Sequence, residues 1–598
     1  MTNEPSTSHQ STASDDNIDI NDVFDNLLLA EEHLAEAGYQ RGLAQGVREG
    51  NVDAYHFGYH RGAEVGAELG FYYGVICEQE SATKEGGSSK GECLLKELKR
   101  EIEEFPKFND LEADIVEGVV AMDLIKGHLE VLTEVLRPRM GFLNCHMVDY
   151  LTEGHWNRYI PEEIREELKG MADLVGSKEV FWNQFNKDFD SSKFPRLANH
   201  IESMKRYRLD VLPDACMTTE QLNSAFDSCL KETRLKMPEL MSIKKCHEVE
   251  VASAVVASLC TVVASGTEGK TLDQVAVIDA GDGKGYLSSR IALEHGIKVL
   301  GIDCNEGNTA SAERRRDQLR KKVPVALKRS KLTEESILKD APEDPLYKTT
   351  TKMIDFQTNL IDLVREQFPQ TQATRFTLAG LHTCGNLAPN SLRLFHQNRH
   401  IRALCNVGCC YHLLRERFCE DEFYNRDKAR DNAGFGFPMS ALMAGKGFAL
   451  GRNARNLAAE SIERSACHRE NPSDKLGYRA MLQIVLKELD VRVDRQVGKL
   501  KCDGFVDYVR KSLKRLGVDG GELVTEAYLE GLERKYEVEL EQLKVFYLYR
   551  MTYAPIVEGL ILLDRLLFLK ECGYENSYLV KLFDPVVSPR CYSIVAFK

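Results

Sequence analysis

The chain has little that would carry it into or across a membrane. Its longest uncharged apolar run, Val251 to Ser265, is diluted with Ser and Thr and is shorter than the ~20 residues a bilayer span needs. The first twenty residues, rich in Ser, Thr and Asp, have no basic region followed by an apolar one, which argues against a secretory leader. Positive charge is not in excess. Lys and Arg number 78 against 92 Asp and Glu, a formal net charge of −14. That excludes a general polyanion binder and leaves only local basic patches for any nucleic acid. Cysteine is not dense either: 17, an odd number, are spread over 598 residues. Disulfide scaffolds are short and Cys-rich, so these are expected to be reduced thiols in a cytoplasmic or nuclear protein that contacts no membrane.

What is present is the composition of a globular protein. Hydrophobic residues make up 43% and charged residues 28%, which rules out wholesale disorder and a fibrous class. The length allows about three to five domains, or two with one large. Residues 1–20 are expected to form a disordered tail, and 81–92, with Gly86-Gly-Ser-Ser-Lys-Gly91, a linker. Residues 93–240 have helical spacing (Leu94, Leu95, Leu98, Ile102), whereas from Val275 strand, glycine turn and helix alternate, an α/β signature. The charged segment 415–545 suggests a helical insertion within a domain spanning 241–598. Two apolar runs, Tyr578–Phe583 and Tyr592–Phe597, flank Asp584-Pro-Val-Val-Ser-Pro-Arg590 and predict a terminal hairpin.

Between 21 and 80, Gly38, Gly42, Gly46, Gly50, Gly58, Gly62, Gly66, Gly70 and Gly74 recur every four residues, with Ala54 in the one gap. Nine such glycines cost a lone helix roughly 7–9 kcal/mol relative to Ala. A bare strip does, however, let a second backbone approach closely, so a helical hairpin or a wrapped partner is expected. With its start at Phe24-Asp-Asn-Leu-Leu-Leu-Ala-Glu-Glu32, this segment of about 55 residues resembles the deca-Gly-x-x-x adaptors of cytosolic iron–sulfur protein assembly, of the oral-cancer-overexpressed-protein type. The resemblance implies pairing with a Yae-type glycine-repeat partner and contact with the iron–sulfur targeting machinery. The C-terminal Trp of those adaptors is Lys598 here.

Val275-Ala-Val-Ile-Asp-Ala-Gly-Asp-Gly-Lys-Gly-Tyr-Leu-Ser288 is a buried strand, a glycine turn and a helix start. Gly281, Gly283 and Gly285 make G-x-G-x-G rather than the G-x-G-x-x-G of dinucleotide enzymes. Asp279, two residues before the first Gly, would accept a hydrogen bond from an ammonium group and repel a pyrophosphate. Asp303, ending the strand that begins at Lys298, can accept two ribose hydroxyls. Together these fit S-adenosyl-L-methionine; a tight strand-to-helix turn without a ligand is the other reading of the same residues.

Further motifs follow in order: Met241-Ser-Ile-Lys-Lys-Cys-His-Glu-Val249, Gly380-Leu-His-Thr-Cys-Gly385, Asn406-Val-Gly-Cys-Cys-Tyr-His-Leu-Leu414, Gly436-Phe-Pro-Met-Ser440, Leu450-Gly-Arg-Asn-Ala-Arg455 and Phe583-Asp-Pro-x-x-Ser-Pro-Arg590. With these, residues 93–598 resemble the methyltransferase-like protein 25 family. The resemblance implies a class I, Rossmann-like methyltransferase fold with a seven-stranded sheet whose last strand is reversed. It also implies S-adenosylmethionine as cofactor, Lys245 and His247 as further cofactor-binding residues, and an RNA or protein acceptor. Asp282 stands in the glycine turn where a small residue is expected, which would put an extra charge near the cofactor.

Chemistry in doubly wound sheets sits at the carboxyl ends of strands. His382 and Cys384 would end the fourth strand, and Cys409, Cys410 and His412 the fifth. Three readings stand side by side. His382, Cys384, Cys410 and His412 form a catalytic pocket with His382 as base; or these are buried thiols and a satisfied His; or they ligate zinc or an iron–sulfur cluster. Without a C-x-x-C pair, spacing assigns no residue to a metal. The stretch from Glu313 to Lys331 carries nine basic residues and two acids, either a solvated helix face or an RNA contact. The second function compatible with these features is an iron–sulfur maturation adaptor whose methyltransferase fold is an inactive scaffold.

Overall fold

The computed structural model describes residues 112–169, 177–186, 194–226, 241–266, 271–330, 345–419, 434–491, 497 and 500–598. The tail, glycine ladder and linker expected over 1–92 lie outside these residues. The chain divides into two units, 1–119 and 120–598, of which the second holds nearly all the described residues.

The centre of the second unit is one mixed sheet of eight strands: β1 (Met217–Thr218), β2 (Val275–Ala280), β3 (Lys298–Asp303), β4 (Tyr347–Thr351), β5 (Arg375–Cys384), β6 (Ile401–Cys409), β7 (Ser577–Lys581) and β8 (Tyr592–Phe597). They lie in the order β1-β7-β8-β6-β5-β2-β3-β4. The seven strands expected are therefore eight. The extra one is a two-residue edge strand that pairs parallel with β7. All neighbours are parallel except β8, which runs antiparallel to both β6 and β7. The last strand in the chain is thus reversed and inserted inside the sheet, and the terminal hairpin forms as expected.

β2 shows why the pattern folds this way. All six of its residues are buried, as a parallel strand covered on both faces requires. Alternate side chains enter different cores. Ala276, Ile278 and Ala280 join the cluster on one face, and Val275 and Val277 the cluster on the other. The first core also takes Leu129, Leu132 and Leu136 of helix α1 (Glu112–Leu136), so helices N-terminal to the sheet share its interior. The second is filled largely by α2 (Ile243–Ser265), begun by Ser242 whose hydroxyl accepts from Lys245 N. α2 is long and apolar enough to cross a bilayer by composition, but two-thirds of its most apolar window is buried against the protein. Around the sheet lie α3 (Tyr286–His295), α4 (Glu306–Ser330), α5 (Leu387–Gln397) and α6 (Ala554–Glu571). Three helices, Lys475–Glu488, Phe505–Leu516 and Glu526–Lys535, build a separate small core around Phe505, Tyr508 and Leu529.

Candidate active site

The turn after β2 runs through three left-handed glycines: Gly281 (φ 80°), Gly283 (φ 62°) and Gly285 (φ 68°). Two of them are also glycine because protein packs where a side chain would start. A Cβ on Gly281 would meet Leu387 Cδ2 at 2.9 Å, and one on Gly285 would meet Tyr347 Oη at 2.5 Å. At Gly283 the nearest atom would be 3.9 Å away, so that side of the turn is open. Gly281 N donates to Ile302 O at 2.8 Å and Asp282 N to the same oxygen at 3.2 Å, tying the turn to β3. Gly283 N donates to Asp303 Oδ2 at 3.0 Å. Asp303 Oδ1 accepts from Asn305 N at 2.8 Å and Asn308 Nδ2 at 3.1 Å, so the strand-tip acid keeps one lone pair, on Oδ2, for a ligand hydroxyl.

Asp279 and Asp282 form a buried pair. Ser288 Oγ lies 2.9 Å from Asp279 Oδ2 and 2.7 Å from Asp282 Oδ1. A hydroxyl has one proton to give, so both contacts are satisfied only when one carboxyl is protonated and donates to Ser288. Tyr347 Oη donates to Asp282 Oδ2. The expectation that Asp282 places a charge beside the cofactor is corrected here. Its side chain turns inward over Gly301, where a Cβ would sit 2.3 Å from Asp282 Oδ2. Burial, and then the neighbouring Asp282, push Asp279 well above the usual carboxyl range; burial pushes Asp282 up to about 6. An unfolded Asp titrates near 3.9. Between about pH 4 and 6 the folded chain therefore holds the extra proton, and stability falls as pH rises through that window. Asp282→Asn, which can still accept from Tyr347 and donate to Ser288, should remove this loss, roughly 2–3 kcal/mol at full shift. Melting temperatures of variant and wild type should diverge in the variant's favour from pH 5 to 7.5; a flat difference would contradict the shared-proton pair.

Near the next strand end, His382, two residues before the last residue of β5, has φ 69°, and its Nε2 lies 3.0 Å from Glu248 Oε2. Glu248 is a buried acid on α2 that the sequence did not single out. Ser588 Oγ donates to its Oε1 at 2.6 Å, and Lys245 Nζ lies 2.9 Å from its Oε2. Burial opposes its ionisation, but the hydrogen bonds of His382, Ser588 and Lys245 outweigh it and hold the carboxyl well below its usual range. The available signal was an acid three residues after Lys245, and so on the same helix face. Lys245 also lies 5.7 Å from the Tyr286 ring, at the start of the helix that follows the glycine turn. His247 is held elsewhere: Asp584 N donates to its Nε2 at 3.3 Å and Phe583 packs on its ring.

Cys384 and Cys409 are register partners on β5 and β6, with Sγ atoms 3.0 Å apart. Cys410, left-handed at φ 49°, brings its Sγ to 3.7 Å from that of Cys409. Hydrogen bonding from Cys409 lowers the Cys384 thiol to about 6, against the effect of burial. The same contact and burial push Cys409 up. His412 is not part of this group. It sits in the single turn Tyr411–Leu413 with Nδ1 buried and without a partner among the described residues, and burial lowers its pKa. Arg455 and Glu416 hold the loop beneath it. Arg455 Nη1 donates to the carbonyls of Tyr411, His412 and Leu414 at 3.1, 3.2 and 2.6 Å, and Arg455 Nε donates to Glu416 Oε2 at 2.8 Å. In the basic stretch, Arg315 is buried 4.0 Å from the Tyr286 ring and Arg316 donates to Tyr347 O, while Arg314, Lys321, Lys322 and Lys328 are exposed.

A glycine turn open on one side, an acid at the next strand tip and polar groups on the following strand ends lie along the carboxyl edge of the sheet's parallel strands. The methyltransferase domain family matches residues 244–417, which contain the turn and most of these groups. The probable methyltransferase-like protein 25 of Homo sapiens is 31% identical over 79% of this chain and 97% of its own length. That of Mus musculus is 30% identical over 79% and 96%. The chain belongs to the methyltransferase-like protein 25 family. In this family member the matched region ends just after the Cys409–His412 loop, so the methyltransferase domain includes both sulfur-bearing strand ends. No solved structure matches the chain.

Proposed function

We propose that the chain transfers a methyl group from S-adenosylmethionine to a macromolecular acceptor, RNA or protein. The observation that carries this is the glycine turn. Gly281 and Gly285 are glycine because protein packs against them, whereas Gly283 faces open space, as a turn that admits a ligand backbone would. The residues present fit the cofactor. Asp279 Oδ1 is buried without a partner among the described residues and is the acceptor left for an ammonium group, and Asp303 Oδ2 keeps a lone pair for a ribose hydroxyl. Lys245 is a further candidate at the α2 N-terminus, while His247 is engaged by the C-terminal loop. Bound S-adenosylmethionine would supply an electrophilic methyl group.

The chain's own part is to position the acceptor and take one proton from it. With Nε2 turned to Glu248, His382 is left with Nδ1 as its basic nitrogen, which supports it as the proton acceptor. Exposed apolar side chains at the carboxyl edge, Met353 after β4 and Leu413 after β6, and the exposed basic residues of α4 support an acceptor carried on a large molecule. Calorimetric titration tests the cofactor. Asp303→Ala should weaken binding by about 1.5–3 kcal/mol, the range for a hydrogen bond to a charged group, and Gly283→Val should abolish it by filling the open side. Absence of wild-type binding at millimolar ligand would instead favour an inactive scaffold. Labelled-methyl transfer into RNA or protein from cells lacking the chain then separates the acceptors.

The glycine period of 21–80 supports a separable adaptor role through a Yae-type partner. Wild type should co-purify that partner and iron–sulfur targeting components, and a Gly58→Leu, Gly62→Leu, Gly66→Leu triple variant should not. Equal capture by both would remove this role.

A further inference from the structure

Cys384, Cys409 and Cys410 stand on the ends of two adjacent parallel strands, with their Sγ atoms all within 4.8 Å of one another. Two neighbours in sequence ordinarily point to opposite faces of a strand. Cys410 joins Cys409 on one side because its backbone turns left-handed, a conformation that costs a non-glycine residue roughly 1–2 kcal/mol. The loop is braced around that turn. Gly385 N donates to Cys409 O at 3.2 Å, and Arg455 gathers three carbonyls of the turn that comes next. The Cys384 and Cys409 sulfurs are 3.0 Å apart and are not bonded to each other. Sulfurs that share a zinc ion, each ~2.3 Å from it, can be at most about 4.6 Å apart, so three thiols at this spacing can close on one ion with little movement.

A second observation points the same way. Arg565 is wholly buried, and its Nε and Nη2 have no hydrogen-bond partner among the described residues. Its Nη1 lies against the residue before Cys409, where a Cβ on Gly408 would be 2.6 Å away. The Tyr411 ring, 5.7 Å away, and the nearby acids Asp564 and Glu558 offset part of its charge without hydrogen-bonding it, and a buried cation that is only partly paired is unfavourable. Three neutral thiols do not offset it, whereas a divalent ion with three thiolates carries a net charge of −1 beside it.

We propose that Cys384, Cys409 and Cys410 bind one zinc ion. Binding forms three Zn–S bonds and releases three thiol protons to solvent, with no change of oxidation state. His382 is engaged by Glu248, and His412 falls outside the sulfur cluster, so neither closes the site. Structural zinc is closed by four protein ligands, whereas three leave a position for water or substrate. This zinc would therefore present an open coordination position at the same strand ends as the acceptor site.

The test is the metal content of the full chain, which does not depend on methyl transfer. Wild type should carry near-stoichiometric zinc. After chelation it should take up Co²⁺ with an intense thiolate-to-cobalt charge-transfer band. Cys384→Ser and Cys410→Ser should each lose the metal while keeping a cooperative melt, and Cys467→Ser, at an exposed cysteine elsewhere, should keep it. Wild type that neither carries zinc nor takes up Zn²⁺ or Co²⁺ overturns the proposal. So does iron with acid-labile sulfide at the three cysteines, or a Cys384–Cys409 disulfide in protein alkylated without prior reduction. Zinc bound by a chain that does not bind S-adenosylmethionine would leave this site standing and remove the cofactor reading alone.

Discussion

Deleting residues 590–598 should leave no cooperatively folded sheet. Tyr592–Phe597 is β8, inserted between β6 and β7 and hydrogen-bonded to both. Ile594, Val595 and Ala596 are buried. Losing the burial of Ile594 and Val595 alone costs about 3–6 kcal/mol. Arg590 goes with them. Its guanidinium pairs with buried Glu558 at 3.2 Å, and removing one partner of such a pair costs about 3–5 kcal/mol. The sum is comparable with the whole stability of a typical domain, about 5–15 kcal/mol, before the two exposed ladder edges are counted. The truncated chain should be insoluble or melt without a sharp transition. A soluble truncation with an unchanged melting temperature would mean that the strand is a surface appendage.

Glu416→Ala should destabilise the protein by about 3–5 kcal/mol, the cost of stranding one partner of a buried ion pair. Glu416 Oε2 takes Arg455 Nε and Gly451 N, and Oε1 takes Leu450 N. Both side chains of the pair are nearly inaccessible, so water cannot replace the lost carboxylate. The Lys446–Glu130 pair, 3.0 Å apart but with its carboxylate half-exposed, provides the contrast: Lys446→Ala should cost less than about 1 kcal/mol. Denaturant unfolding of the three proteins measures this. If Glu416→Ala matches Lys446→Ala, the clamp does not hold the Tyr411–Leu414 turn.

Much of the sheet was legible in the amino-acid sequence. Val275–Ala280 is apolar save for Asp279, and a central parallel strand must be buried on both faces, so composition alone identified it. The terminal hairpin was legible because Asp584-Pro and Ser588-Pro cannot continue a ladder. Its first strand nevertheless ends at Lys581, two residues earlier than the apolar run, because Leu582 and Phe583 turn into the second core. Met217–Thr218 was not legible. Two residues carry no period, and they are a strand only because β7 lies beside them.

The candidate site divides in the same way. G-x-G-x-G after an apolar run, with an acid closing the next strand, is a local signal set by backbone sterics. Residue order alone was therefore enough to specify the turn and the neighbouring acid, while the left-handed backbone of its three glycines came from the structure. Partners distant in sequence were set by tertiary packing. Asp282 turns away from the open side because residue 301, on the adjacent strand, has no side chain. His382 meets Glu248 because α2 begins at the carboxyl edge of the sheet and runs back over its face to Arg375, the first residue of β5. His247, one residue before Glu248, faces the C-terminal loop instead, since successive helix positions point about 100° apart. Cys384 and Cys409 touch because parallel register sets them opposite each other across 25 residues of chain, and no spacing rule in one dimension encodes that register. Local conformation follows from short-range steric preference, whereas ion pairs and the thiol cluster exist only once hydrophobic burial has fixed which strands and helices are neighbours.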